Sequence, residues 1–175
     1  MNRLFIFLGD EFSVGIELTM TFDIKPRKSS GTIFSIQKPN MDFLALELRD
    51  GQLFLSVQNG GGEFMASYRP PNGEFSLCNG QWHSIEVVKD RFEASITVDG
   101  EEGIQGVSNN QAQTETNTND PLYFGGVPDG EVHDGILENE SFGGCIRNIV
   151  INGKSEPVVN KRRVGEVDLR SCPAN

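Results

Sequence analysis

Three cysteines, Cys78, Cys145 and Cys172, and two histidines, His83 and His133, are the side chains of this 175-residue chain best suited to covalent or soft-metal chemistry. A thiolate can attack a carbonyl, bind zinc or close a disulfide. Cys145, in SFGGCIRNIVING, is therefore open to reading as a nucleophile, a metal ligand or a staple. The zinc spacing is missing, because no Cys-x-x-Cys or His-x-x-x-His pair occurs. Cys78 stands five residues before His83 at the start of a strand, where the two are poorly placed to share a proton. Cys78 reads either as a small buried apolar group or as an exposed thiol that pairs outside the chain. Sugar cleavage would need paired carboxylates on one face; Glu86 and Glu93 face a suitable surface, but no spacing or motif pairs them.

Lys and Arg total 15 against 25 Asp and Glu, a formal net charge of -10. That balance argues against bulk attraction to nucleic acid or to a bare anionic membrane. No stretch approaches the roughly 20 apolar residues that span a bilayer, so no membrane insertion is expected. LFIFL (Leu4 to Leu8) lacks the length and cleavage site of a signal peptide and reads as a core strand. The length suits one domain, residues 1–175.

The elements that must position these groups are strands. Short apolar or alternating runs are separated by Gly, Asn and Asp, with almost no sustained helical period. DFLALELRDGQLFLSVQNG sets Phe43, Ala45 and Glu47 on one face and Leu44, Leu46 and Leu48 on the other, then turns at Asp50-Gly51. Asp-Gly and Asn-Gly pairs accept the positive φ angles of two-residue hairpins, and such pairs recur at Asn59-Gly60, Asp99-Gly100 and Asn152-Gly153. In NGQWHSIEVVKDRFEASITVDG two strands are expected to join through Lys89-Asp90-Arg91, with Trp82 in the core and His83 on the opposite, solvent face. Gly106 to Asp120 is polar and free of aromatics, which predicts a long surface loop, and His133 is expected in another loop. So many hairpins predict an all-β, antiparallel two-sheet sandwich or jelly roll.

NGQWHSIEV, ITVDG, PLYFGGVP and FGGCIRNIVINGK, followed by a late SCP, resemble the laminin G-like domain of laminin α chains, agrin, perlecan and neurexins. The resemblance covers nearly the whole chain, and FSVGIELTMTFDIKPRKSSGTI with DLRSCPAN is most similar to the third such domain of a laminin α chain. It implies a concanavalin-like jelly roll of about 14 antiparallel strands. It also implies a secreted, non-enzymatic module of the extracellular matrix and basement membrane, excised from a tandem array. Its partners would be cell-surface receptors, neighbouring G-like domains and the laminin β and γ chains.

The same resemblance pairs Cys145 with Cys172, which requires an oxidising compartment. It implies a Ca²⁺ site at one sandwich edge, built from two Asp side chains and two carbonyls, oxygen ligands that suit a hard cation. Asp42 matches the first Asp, and a carbonyl falls near Asn59. The second Asp blurs: Asp120 adjoins the next strand, and counting back lands near Thr116, which would leave a charged ligand missing. Without calcium, Asp42 would end a turn and keep a sheet edge soluble. Glycan ligands of the heparan sulfate or dystroglycan kind would use basic groups. Lys25, Arg27 and Lys28 form one cluster and Lys161, Arg162 and Arg163 another, each also readable as a solvated loop. Integrin binding would be part of a composite surface, since the chain has no Arg-Gly-Asp. Asn139-Glu140-Ser141 is a glycosylation sequon at Asn139. Two other uses of the sandwich are a carrier for small hydrophobic ligands, with a pocket between the sheets, and a lectin-like sugar-binding domain.

Overall fold

The computed structural model describes residues 5–71, 76–137, 140–158, 161–165, 168 and 172. Among them the strands are β1 (Phe5–Phe12), β2 (Glu17–Pro26), β3 (Gly31–Gln37), β4 (Phe43–Arg49), β5 (Gln52–Gln58), β6 (Glu63–Tyr68) and β7 (His83–Asp90). The rest are β8 (Glu93–Val98), β9 (Glu101–Glu102), β10 (Gly106–Val107), β11 (Asp120–Phe124), β12 (Gly144–Ile151), β13 (Lys154–Ser155) and β14 (Arg162–Val164). One sheet runs β14-β1-β11-β3-β4-β5-β6 and the other β10-β8-β7-β2-β12-β13, with β9 beside β8. All pairings within the sheets are antiparallel.

Hairpin chemistry sets the register. Asp50-Gly51, Asp99-Gly100 and Asn152-Gly153 all carry positive φ at both residues, the twist that two-residue turns need. Asn59-Gly60 does not: only Gly60 is positive there, and the buried Asn59 side chain is engaged elsewhere. The two glycines before Cys145 answer a crowding problem. A β-carbon on Gly144 would lie 2.4 Å from the Lys25 carbonyl oxygen, and one on Gly143 would lie 2.7 Å from the Lys28 side chain.

The inner faces interdigitate into one core. Phe22 of β2 meets Phe124 of β11 edge-on at 5.6 Å, and Phe34 of β3 lies 5.4 Å from Phe124. Ile33, Leu44, Leu46, Leu55, Val57, Ile85, Val87 and Ile96 fill the space around them.

Three expectations for the Trp82 strand are corrected. Residues 83, 85, 87 and 89 of β7 alternate inward, so His83 is buried and Trp82 is half-buried on the outer side. The period of two assigns Trp82 to the face of Ser84 and Glu86, and the Arg147 guanidinium covers its ring at 3.9 Å. His83 instead places Nδ1 2.7 Å from Asp99 and Nε2 3.0 Å from Asn79. The turn after β7 begins at Arg91 rather than Lys89, so Lys89 lies within the strand and points inward.

Cys145 and Cys172 form a disulfide 27 residues apart in sequence, which ties β12 to the C-terminal segment. Cys78 is a free, half-buried thiol. In the chain-entropy account a closed loop of this length adds roughly 3 to 4 kcal/mol. Cys145→Ser/Cys172→Ser should therefore lower the urea midpoint by a corresponding amount. Adding reductant should lower the wild type to the same value and leave the double variant unmoved.

Candidate functional site

Four segments meet at one edge of the sandwich: the turn before β4, the turn after β5, the β1–β2 connection and the segment between β10 and β11. Asp42, only 6% exposed, sits at the first. Its Oδ2 accepts the Asn117 amide at 2.7 Å, and its backbone carbonyl accepts the Lys38 amide at 2.9 Å. At the second segment, Asn59 donates its side-chain amide to the Gln113 carbonyl at 2.8 Å. A β-carbon on Gly60 would lie 4.0 Å from Asp42 Oδ1 and 3.9 Å from Gln113 Oε1, so two other segments bring oxygens close to this turn. Asp42 is thus a buried, hydrogen-bonded member of the edge, more than a solubilising charge.

The polar segment from Gly106 to Asp120 is stitched down despite its composition. Gly15 and Thr116 exchange both backbone hydrogen bonds, at 3.1 and 3.0 Å. Thr118 Oγ1 accepts the Val14 amide and donates to the Phe12 carbonyl. Thr116 and Thr118 turn inward while Glu115, Asn117 and Asn119 are exposed, a strand-like alternation in a run read from sequence as loop. Thr116 is fully buried and its hydroxyl has no hydrogen-bond partner. Asp120 opens β11, and its Oδ2 accepts the neighbouring Asn119 amide. It lines a cleft of about 290 Å³ with Lys38, Asn117, Thr118 and Asn119.

Beneath the edge lies a cation that sequence reading missed. Lys89 is 0% exposed, and its Nζ donates to the carbonyls of Gly15, Ile16 and Thr114 at 2.8, 2.9 and 2.7 Å. Burial pushes its pKa down to about 8, with Asp90, Glu115, Asp42 and Glu17 resisting the shift. A clue lay in the sequence: Ile85, Val87 and Lys89 share one period-two face.

As a calcium site the edge fits in part. Asp42 supplies one carboxylate with Oδ2 already taken by an amide, and Thr116 stands where a second charge was expected. The orphaned Thr116 oxygen is the kind of atom a cation or water would satisfy. Among the described residues no three His, Cys, Asp or Glu side chains converge on a common point.

Several members of the basic clusters have partners. Lys28 pairs with Glu140 at 3.7 Å, and Arg27 reaches Cys172 Sγ at 3.7 Å. Lys161 binds Glu156 at 2.9 Å and the Leu8 carbonyl at 3.3 Å, while Arg162 lies over Phe7 at 5.7 Å. Arg162 and Arg163 lie in edge strand β14, beside β1, rather than in a solvated loop. Asn139 lies outside the described residues. Glu86 faces Thr97 across the hairpin, four positions along β8 from Glu93. That offset is roughly 14 Å at the usual rise, beyond the span of a sugar-cleaving pair.

One further cluster also escaped notice. Ser35 Oγ lies 2.6 Å from His133 Nδ1, and His133 Nε2 lies 3.2 Å from Glu131. The chain of groups resembles a nucleophile relay, but Ser35 is 0% exposed. Its partners show another use. Gln37 exchanges two hydrogen bonds with Asp134, and Glu47 accepts the Leu137 amide, so residues 128–137 are seated on the outer face of β3 and β4. Beside them burial, then Glu131, pushes the Tyr123 hydroxyl up to about 12.

Two antiparallel sheets, here tied by the Cys145–Cys172 bond, are also the fold that known relatives share. Residues 24–154 match the Laminin G domain family. The chain belongs to that family. It is 31% identical over 172 residues to mouse laminin subunit alpha-4, covering 97% of this chain and 9% of that protein. It is 32% identical over 175 residues to the laminin subunit alpha of Drosophila melanogaster, covering 99% of this chain and 5% of that one. Laminin G domains LG4-5 of the mouse laminin alpha1 chain superpose with a TM-score of 0.85 at 26% identity, covering 100% of this chain and 49% of that structure. The chain thus spans less than a tenth of these two full-length relatives.

Thr116→Val should raise stability by roughly 1 kcal/mol in urea unfolding, because an isosteric methyl removes an unpaired buried hydroxyl. The pH dependence has a definite sign. Between pH 8 and 10.5 the unfolded chain holds a proton on Lys89 that the folded chain has released, so this group makes stability rise with pH across that window. Relative to Lys89→Met, the wild type should gain up to about 3 kcal/mol from pH 7.5 to pH 10.5 in paired denaturation curves.

Proposed function

We propose that this laminin G domain is an adhesion module of the extracellular matrix and basement membrane that acts by binding cell-surface receptors, without catalysing a reaction. The observation that carries the reading is the Asp42 edge: a buried carboxylate, ordered backbone from four segments and an adjoining polar cleft, on a rigid sandwich. Long connections on such scaffolds are where recognition sits. The relatives include laminin alpha chains and mouse basement membrane-specific heparan sulfate proteoglycan core protein, 36% identical over 146 residues. The Cys145–Cys172 bond suits the same oxidising space.

The receptor classes that fit are acidic glycans of the dystroglycan or heparan sulfate kind, and integrins engaged through a surface shared with neighbouring G-like domains. For a glycan, the edge is the better site. Lys161 and Lys28 already serve acidic partners, and Lys38 lines the cleft together with Asn117 and Asn119. A Ca²⁺ ion there would be held by Asp42, with oxygens from the Asn59 turn and the Thr116 segment, and would supply positive charge for an acidic sugar. Asp42 and the Asn117 amide fix the carboxylate, and Thr116 leaves the site one charge short. Affinity of order 1 mM is what so sparse a set supports.

Calcium calorimetry on the wild type, Asp42→Ala and Thr116→Asp tests the site. The expected pattern is weak heat in the wild type, none in Asp42→Ala, and at least tenfold tighter binding in Thr116→Asp. Silence in all three proteins would remove the metal from this reading. Immobilised heparan sulfate and glycosylated dystroglycan, probed with and without calcium, would then decide whether the cleft binds glycan by itself.

A further inference from the structure

Lys89 occupies an unusual position for a lysine: an inward site of a central strand, fully buried, on the same face as Ile85 and Val87. Its ammonium has three protons to place, and three carbonyl oxygens from two segments receive them at 2.7 to 2.9 Å. Two of those oxygens, from Gly15 and Ile16, belong to the β1–β2 connection, and the third, from Thr114, belongs to the segment before β11. Close by, Gly15 pairs with Thr116, and one residue on, the Asn117 amide reaches Asp42. The route from the ammonium to the Asp42 carboxylate is therefore continuous: Lys89, Thr114, the Gly15–Thr116 bridge, Asn117, Asp42.

We infer that Lys89 is the positioning residue of the Asp42 edge: its caged ammonium holds the 114–117 segment in the register that presents the Asn117 amide to Asp42. This rests on the proposed role of that edge in binding, but the clamp itself does not. The carboxylates facing the ammonium come from every neighbouring segment: Asp90 on β7, Glu17 on β2, Glu115 on the clamped segment and Asp42 across the edge. A buried ammonium without such oxygens would shed its proton or leave the interior. With them it acts as an internal cation that reinforces two connections otherwise joined by the single Gly15–Thr116 bridge and Thr118. Arg at this position would keep a charge but spread its donors over a plane, so it would reproduce the cage only in part. The caged amine gives up one proton near pH 8 while its solvated form keeps it to about 10.5, so pH reports the state of the cage without releasing it.

Backbone amide exchange by NMR, without calcium or receptor, is the test, using the wild type, Lys89→Met and Lys89→Arg. At pH 7, Lys89→Met should speed exchange at Thr116 and Asn117 by at least tenfold, leaving Leu44 and Leu46 of β4 within twofold of wild type. Lys89→Arg should fall between the two. In the wild type, the Asn117 resonance should move with pH with a midpoint near 8, and that inflection should vanish in Lys89→Met. Unchanged protection at Asn117 in Lys89→Met would overturn the inference, and so would equal loss of protection at β4, which would make Lys89 a core residue only. If Lys89→Met does not fold, the wild-type pH series and Lys89→Arg decide: a flat Asn117 resonance together with unaltered exchange in Lys89→Arg refutes the clamp. Calcium affinity is read separately, and a drop of tenfold in Lys89→Met is expected. Faster exchange with unchanged affinity would leave the clamp standing and count against the binding role of Asp42.

Discussion

A backbone amide or carbonyl that leaves the solvent must find a partner, and at the edge of a two-sheet sandwich the ladder no longer provides one. The segment from Gly106 to Asp120 crosses that edge, and nearly every contact holding it comes from a different element. Lys89 caps Thr114, Gly15 pairs with Thr116, Asp42 receives Asn117, and Thr118 bridges Phe12 and Val14. The geometry of Asp42 follows from this satisfaction of polar backbone. The same contacts that close the sandwich also present its candidate binding edge.

The outer face of the other half of the first sheet is managed by similar means. Ser35, Gln37 and Glu47 stand at positions that alternation assigns to solvent, yet residues 128–137 cover them and supply His133, Asp134 and the Leu137 amide as partners. Arg49 binds Glu47 from the same strand. Buried polar groups on an outer face are thus seats for a connection rather than parts of a reactive centre. The Ser35–His133–Glu131 chain shows why residue types in hydrogen-bond range are insufficient: a nucleophile also needs access.

Charge works locally here. The net charge of -10 describes the whole chain, but the edge balances Asp42, Glu17, Asp90 and Glu115 against a single internal ammonium. Of the basic residues that look like a ligand patch in sequence, Lys28 meets Glu140, Arg27 meets Cys172, Lys161 meets Glu156 and Arg162 lies over the ring of Phe7. Binding through the edge therefore depends on the order of a few segments more than on long-range attraction.

The alternating runs around FLALELRDGQLFLSV and the Asp-Gly and Asn-Gly pairs determine strands and hairpins by themselves, because side-chain period and turn φ angles are local properties. FGGCIRNIVING and its companions carry the family, and with it the expectation of the Cys145–Cys172 pair. Asp42 could be singled out from its place before β4, and Thr116 from its distance to LYFGG. Tertiary structure alone decided which way Trp82 and His83 face, because a strand's inward register depends on what its neighbours bury. It also decided that a polar, aromatic-free segment is ordered, since its partners lie up to 106 positions away in sequence. Lys89 marks the boundary most clearly. Its type argues for solvent and its register for the core, and only the three carbonyl oxygens gathered around it resolve the conflict.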